Sequence, residues 1–185
     1  MKISNTGYWE EICSHHTDPG LQHALVDVLQ DMQSIVDFGC GDASYIRYLN
    51  QRLNIETKAF DGNPNVKKIT NGVGEQQDLA VPFELSRKFD VVMSLEVAEH
   101  IPKQFEHVYI DNLIRHTNKY VIISWAVPGQ GGKGHVNEQP NQYVIDLFER
   151  LNFMYLQELS YTLRNCITDC NWFKNTLFIF EKNEN

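Results

Sequence analysis

Ser34-Ile35-Val36-Asp37-Phe38-Gly39-Cys40-Gly41-Asp42-Ala43 decides how the rest of the chain is read. A short apolar run with β-branched and aromatic residues enters a glycine turn, and Tyr45, Ile46, Tyr48 and Leu49 leave it at helical spacing. The order is strand, loop, helix. Upstream, Leu21, Leu25, Val28 and Leu29 form the apolar stripe of a helix expected to pack on the sheet, with Pro19 in its first turn.

Downstream, Ile55 to Phe60 is a second strand, ending at Asp61 and the turn Gly62-Asn63-Pro64. Val73 to Gln77, Phe89 to Leu95, Tyr120 to Trp125, Phe153 to Tyr161 and Trp172 to Phe180 complete a set of seven strands. The first five alternate with helices or short crossovers, and a further helix covers Tyr143 to Leu151. The last two are expected to pair antiparallel at the sheet edge, through a turn containing Asn165 and Asp169. The expected fold class is α/β: a seven-stranded, mostly parallel sheet flanked by helices, with an antiparallel C-terminal strand pair. Such a sheet brings the C-terminal ends of its parallel strands to one crevice, where Gly39, Asp61, Asp78, Leu95 and Trp125 converge.

Composition agrees with one domain over residues 1–185, in which 1–33 is an N-terminal helical or lid region. A 185-residue chain with 42% hydrophobic residues can bury a single core, and 22% charged residues argue against a membrane protein. Sixteen basic against 24 acidic residues give a net charge of -8, which excludes an extended cationic face for nucleic acid. No secretory signal or bilayer-length apolar run is visible, so the expectation is a cytoplasmic protein without a membrane span. Cys13, Cys40, Cys166 and Cys170 are too few and too irregular for a disulfide framework and read as thiols, the last two sharing a helix or lying at a strand's end. Gly129 to Gly134 holds four of the 11 glycines and reads as a lip on the crevice rather than a domain boundary.

Asp61 lies 22 residues beyond Gly39, the separation of a phosphate loop from a ribose anchor in dinucleotide folds, yet Gly39-x-Gly41-x-Ala43 is not the GxGxxG pattern. Four pieces occur in order: Val36 to Gly41, Asp61, Gln77-Asp78-Leu79, and Phe89 to Leu95 followed by Glu96-Val97-Ala98-Glu99-His100. Over about residues 34–180 these resemble the class I S-adenosylmethionine-dependent methyltransferases. The resemblance implies S-adenosylmethionine as cofactor. Asp37, Gly39 and Gly41 would form its loop, Asp61 would hold the ribose hydroxyls, Asp78 and Leu79 would lie beside adenine, and Leu95 would end the fourth strand at the site. Physically, two glycines allow close backbone approach, the following helix N-terminus suits a carboxylate, and Asp61 offers two acceptor oxygens. Ala43 stands where many family members carry glycine. Trp9, His15 and His16 resemble part of an N-terminal lid, or else Trp9 anchors a helix and the histidines are surface groups. Ile123 to Asn137 resembles a subgroup that modifies carbohydrates and other small molecules, implying a small-molecule or glycan substrate.

Methyl transfer requires alignment of the acceptor with the sulfonium methyl, and an alcohol acceptor also gains from loss of its proton. His135, delivered by the glycine lip, is the first candidate base, with Asn137 placed to orient a substrate hydroxyl; His100 is the second, and Glu96 a further catalytic candidate. Glu96, Glu99 and His100, at i, i+3 and i+4, would share one helical side and resemble the metal-supporting arrangement of quinone-precursor O-methyltransferases. That implies a hard divalent metal ion as the alternative to a base. Trp125, with Tyr8 or Trp9, would give an apolar or sugar-facing wall. Methylation of a small amine, a non-catalytic cofactor-binding module and a nicotinamide-dependent oxidoreductase remain open readings, as does the oligomeric state.

Overall fold

The structure, a computed structural model, describes residues 2–184. The helix α1 (Pro19–Leu29) starts at Asp18, whose fully buried carboxylate accepts the Leu21 N–H at 2.8 Å. The same carboxylate accepts the N–H groups of Asp169 and Cys170 at 2.7 and 2.8 Å, joining the first helix to a distant C-terminal loop. β1 (Ser34–Phe38) leads through the glycine loop into α2 (Ser44–Arg52), β2 (Glu56–Asp61), α3 (Val66–Ile69), β3 (Glu75–Gln76) and β4 (Phe89–Ser94). Then follow α4 (Glu106–Arg115), β5 (Thr117–Ser124), α5 (Asn141–Arg150), β6 (Phe153–Tyr155), α6 (Gln157–Asn165), α7 (Phe173–Thr176) and β7 (Leu177–Lys182).

The strand order is β3-β2-β1-β4-β5-β7-β6, with the first five strands parallel. β7 runs antiparallel between β5 and β6. Side chains alternate across this sheet. Ile35, Val91, Met93, Ile122 and Ile179 pack with α1 and α2, while Val36, Val92, Val121, Ile123 and Phe178 pack with α4 and α5. Because both faces are covered, the central strands carry mostly apolar runs, interrupted in β1 by Asp37 and in β4 by Asp90, which is why they were visible in the sequence.

Two C-terminal segments depart from expectation. The strand expected over 153–161 stops at Tyr155, and Gln157–Asn165 is a helix burying Ser160 and Leu163. Its acidic Glu158 lies in the first turn and basic Arg164 in the last, as the helix dipole favours. Likewise Phe173–Thr176 is a helical turn before β7 begins. β6 and β7 pair antiparallel at the sheet edge as expected, with β6 outermost, but helices rather than a turn connect them.

Trp125 and Asn137 also fall elsewhere than expected. Trp125 is fully buried and its indole N–H donates to the Asn137 carbonyl at 2.6 Å, so it supports the core and does not wall the crevice. The buried Asn137 side chain donates to Glu106 Oε2 at 2.8 Å, which leaves it a structural role rather than a substrate contact. The cysteines are free thiols: Cys166 follows α6, and Cys170 is buried in the next loop, so the two do not share a helix.

Candidate active site

The C-terminal ends of β1, β2 and β4 and the segment after β3 surround a cavity of about 520 Å³. Gly39 and Gly41 have φ of +90° and +54°, and a Cβ would drive Gly39 into Val97 and Gly41 into the His15 ring. Both positions therefore require glycine. Ala43 occupies the same left-handed region at φ 61° as the N-cap of α2, its methyl buried in the core. The residue that departs from the family pattern thus still adopts a glycine-like backbone, at a cost of about 1–2 kcal/mol.

Asp61 ends β2 and is fixed by backbone donors: Gly41 N–H reaches Oδ2 at 2.9 Å and Asn63 N–H reaches Oδ1 at 2.8 Å. Burial pushes its carboxyl up while these two hydrogen bonds pull it down, with burial the larger effect. Each oxygen retains accepting capacity. Asp37 is buried nearby and accepts no side-chain hydrogen bond among the described residues; burial, followed by the charges of Asp61 and Asp42, pushes its carboxyl up to about 8. Asp78 accepts the Ala80 N–H at 2.9 Å and the Thr6 hydroxyl at 2.8 Å.

Thr6 belongs to an N-terminal roof. Ile3 and Trp9 form an antiparallel bridge, and the side-chain amides of Asn63 and Asn65 donate to the carbonyls of Glu11 and Glu10 at 2.9 and 3.0 Å. Trp9 stacks on His15 with ring centroids 6.0 Å apart and stands edge-on to His100 at 5.6 Å. Trp9, His15 and His16 all line the cavity, so this stretch covers it rather than anchoring a separate helix.

The opposite end is assembled differently. Glu96 has φ of 56°, so the backbone turns, and residues Ala98–His100 form a 3-10 turn rather than a helix. Glu96 N–H donates to Ser124 Oγ at 2.6 Å, and that hydroxyl donates back to Glu96 Oε1 at 2.8 Å. Burial, opposed by the Ser124 bond, pushes the Glu96 carboxyl up to about 7. The helical side expected to carry Glu96, Glu99 and His100 does not form.

Glu99, His100 and His135 gather in its place, with one ligand-capable atom from each lying within 4.8 Å of the others. Glu99 is fully buried and neither carboxylate oxygen has a hydrogen-bond partner among the described residues. Its carboxyl lies well above the usual range, first through burial and then through the charge of Glu96, against the backbone N–H groups of Glu99 and Ala126. The two imidazoles stand at 87° with centroids 5.0 Å apart. His100 Nδ1 lies 3.2 Å from the Gly134 carbonyl and His135 Nδ1 3.0 Å from Glu138 Oε1, while His135 Nε2 is 3.9 Å from Glu99 Oε1. Burial, then the neighbouring His135, pushes His100 down to about 4, against the Gly134 hydrogen bond, so its ring is neutral near pH 7.

Glu138 also accepts the Gly129 and Gly131 N–H groups at 2.8 Å each, so the glycine lip is pinned by its own acidic residue. The Val136 and Asn137 N–H groups donate to the Glu99 carbonyl at 2.9 and 3.0 Å, bringing the lip onto that turn.

Asp37, Gly39, Gly41, Asp61, Asp78, Leu79, Leu95, Glu96, His100 and His135 all line the one cavity, whereas Trp125 and Asn137 do not. The sequence reading overlooked Thr6 and Glu138. An acidic residue three positions after a histidine in a glycine-rich stretch was the available sign for Glu138; nothing local marked Thr6.

A family model described as a methyltransferase domain matches residues 15–132. The chain belongs to the methyltransferase domain family. The matched span takes in the glycine loop, Asp61, Asp78 and His100 and stops within the lip, before His135. Chloroplastic tocopherol O-methyltransferase of Arabidopsis thaliana is 24% identical over 165 residues, covering 65% of this chain; the chain spans only 47% of that relative. Magnesium protoporphyrin IX methyltransferase from Synechocystis PCC 6803, solved with bound SAM, superposes with a TM-score of 0.65 at 16% identity, covering 88% of this chain and 76% of that one. The N-methyltransferase NodS from Bradyrhizobium japonicum WM9, in complex with S-adenosyl-L-homocysteine, gives a TM-score of 0.67 at 13% identity over 90% of this chain and 89% of its own. This methyltransferase domain therefore has the class I fold. Among its described residues no helix is long and apolar enough to cross a membrane.

Proposed function

We propose that the cavity binds S-adenosylmethionine and that the protein transfers its methyl group to a hydroxyl of a small molecule, with sugars and glycans among the acceptors to test. The observation that carries this reading is Asp61. Its carboxylate is held by two backbone N–H groups on the same cavity as the Gly39 to Gly41 loop and Asp78, where two vicinal hydroxyls can be received. Asp37 accepts no side-chain hydrogen bond among the described residues, and a cationic group bound beside it would favour its ionised form. The acceptor lies at the other end, against Trp9, His100 and His135. Both imidazoles have Nδ1 occupied, which leaves the Nε2 edges to act on the acceptor hydroxyl. This, with the likeness to a named O-methyltransferase, supports oxygen over nitrogen. A single domain roofed by its N-terminal segment, with four free thiols, suits a cytoplasmic enzyme.

Calorimetric titration with S-adenosylmethionine, S-adenosylhomocysteine and NAD tests the cofactor, and single-turnover transfer to a panel of sugars, glycans, quinone precursors and amines tests the acceptor. Binding of S-adenosylmethionine and transfer to a hydroxyl are expected. Selective NAD binding would overturn the cofactor, transfer confined to amines would overturn the acceptor class, and binding without transfer would make the protein a cofactor-binding module.

A further inference from the structure

We propose that Glu99, His100 and His135 hold one divalent transition metal ion of the zinc class at the acceptor end of the cavity. Three observations point there independently of the glycine loop. First, Glu99 is fully buried and neither of its oxygens makes a well-formed hydrogen bond among the described residues, the backbone N–H groups of Glu99 and Ala126 offering it only partial support, an arrangement that a cation would compensate. Second, each imidazole has its Nδ1 beside an acceptor, the Gly134 carbonyl for His100 and the Glu138 carboxylate for His135. Metal-binding histidines are oriented in this way, with the other nitrogen turned to the ion. Third, the three ligand-capable atoms already lie within 4.8 Å of one another. Bonds of about 2 Å in a tetrahedral site would draw them to roughly 3–3.5 Å, a closure that side-chain torsions can supply.

Two nitrogens and one carboxylate favour a borderline ion over magnesium or calcium, which prefer all-oxygen surroundings. Glu96 is not in the set: it does not fall within the 4.8 Å cluster, and its Oε1 accepts the Ser124 hydroxyl. Three protein ligands leave one position open, and since His100 and His135 line the cavity, it opens on that side. What the ion does there rests on the proposed methyl transfer. An acceptor hydroxyl in the open position loses its proton to water more readily. Its oxygen then forms a bond to the methyl carbon as the sulfur–carbon bond breaks, and that electron pair returns to sulfur. His135 cannot both ligate through Nε2 and take the proton there, so the metal and the free base exclude one another.

The test uses the whole chain, freed of metal by a chelator, and titrates zinc ion against a chromophoric competitor, with magnesium ion as comparison and cobalt ion as a visible coordination probe. One zinc equivalent is expected, bound at least about 100-fold more tightly than magnesium. His135→Gln and Glu99→Gln should weaken it by at least about 10–100-fold, Glu138→Gln by about 10-fold, and Glu96→Gln by less than about twofold. Absence of saturable zinc binding, zinc affinity unchanged in His135→Gln, or an equal requirement for Glu96 would each overturn the site. Thermal melts accompany each variant; if Glu99→Gln fails to fold, His135→Gln on the lip decides. Cofactor calorimetry on the same stripped protein separates the two proposals, because cofactor binding without zinc removes only the metal site, and zinc without cofactor removes only the methyl-transfer reading.

Discussion

At the Gly39 to Asp61 end of the cavity the backbone does the positioning. Two left-handed glycines set the loop, and peptide N–H groups from that loop and from Asn63 aim the one carboxylate. At the His100 to His135 end side chains hold side chains: Ser124 takes Glu96, Glu138 takes His135, and Trp125 and Glu106 anchor Asn137 beneath the lip. A site made by backbone leaves a short, ordered trace in the sequence, whereas one made by long-range side-chain bonds does not. The two ends should accordingly fail separately.

The largest separation is expected from Asp61→Ala. Losing two acceptor oxygens should weaken S-adenosylmethionine binding by about 100-fold or more, at roughly 1.5–3 kcal/mol for each hydrogen bond to a charged group. His135→Gln should leave that affinity within about twofold. Calorimetry on both folded variants makes the comparison, and similar losses in the two would show the ends to be one energetic unit.

Trp125→Phe probes the scaffold under the acceptor end. It keeps the buried ring but removes the 2.6 Å bond to the Asn137 carbonyl, leaving that oxygen without its indole partner. A loss of about 1–2 kcal/mol in unfolding free energy is expected from denaturant titration, with cofactor affinity preserved. A parallel fall in affinity would mean that the scaffold serves both ends.

A pH series sharpens the cofactor end. Asp37 keeps its proton to about 8 in the folded protein, chiefly through burial, against an unfolded value near 4. Between those values the folded state binds more protons. Its stabilising contribution is therefore complete below about pH 4 and is lost as pH rises through about 8. Melting temperatures of the cofactor-free protein should decline over this window, and less steeply in Asp37→Asn; identical slopes would remove Asp37 as the source.

The smallest change is expected from Ala43→Gly. Glycine relieves about 1–2 kcal/mol of left-handed strain at φ 61° but gives up a fully buried methyl worth about 0.8 kcal/mol and loosens the unfolded chain by about 0.4–1 kcal/mol. A net shift within about 0.5 kcal/mol in denaturant unfolding should follow. A large gain would show that the cofactor loop is held under strain.

The parallel half of the fold was legible because β1 and β4 are apolar on both faces and end at a glycine or acidic punctuation mark. Residues 157–165 were not, since Leu156, Leu159 and Tyr161 can be laid on a strand as readily as on a helix, and only the placement of Glu158 and Arg164 distinguished the two. Within the site, the strand, turn and helix pattern together with the family resemblance brought Gly39, Gly41 and Asp61 to one crevice, and the structure places all three on it. The partnership of Glu99 with His135 could not, because it depends on a positive φ at Glu96, a non-glycine residue that gives no warning of it. Asn137 was chosen for its nearness to His135 in sequence, but the core claimed its side chain through Glu106.

The position of β7 bears on how the molecule is made. β6 joins the sheet only through β7, and β7 also covers the edge of β5 at Tyr120 to Ser124. During synthesis the five parallel strands leave the ribosome before β7 exists, so Val121, Ile122 and Ile123 wait with open hydrogen-bonding groups along an apolar edge. Aggregation in the cell should therefore be governed by the delay before residues 177–182 arrive, and a fragment ending after α6 should require chaperones that the whole chain does not.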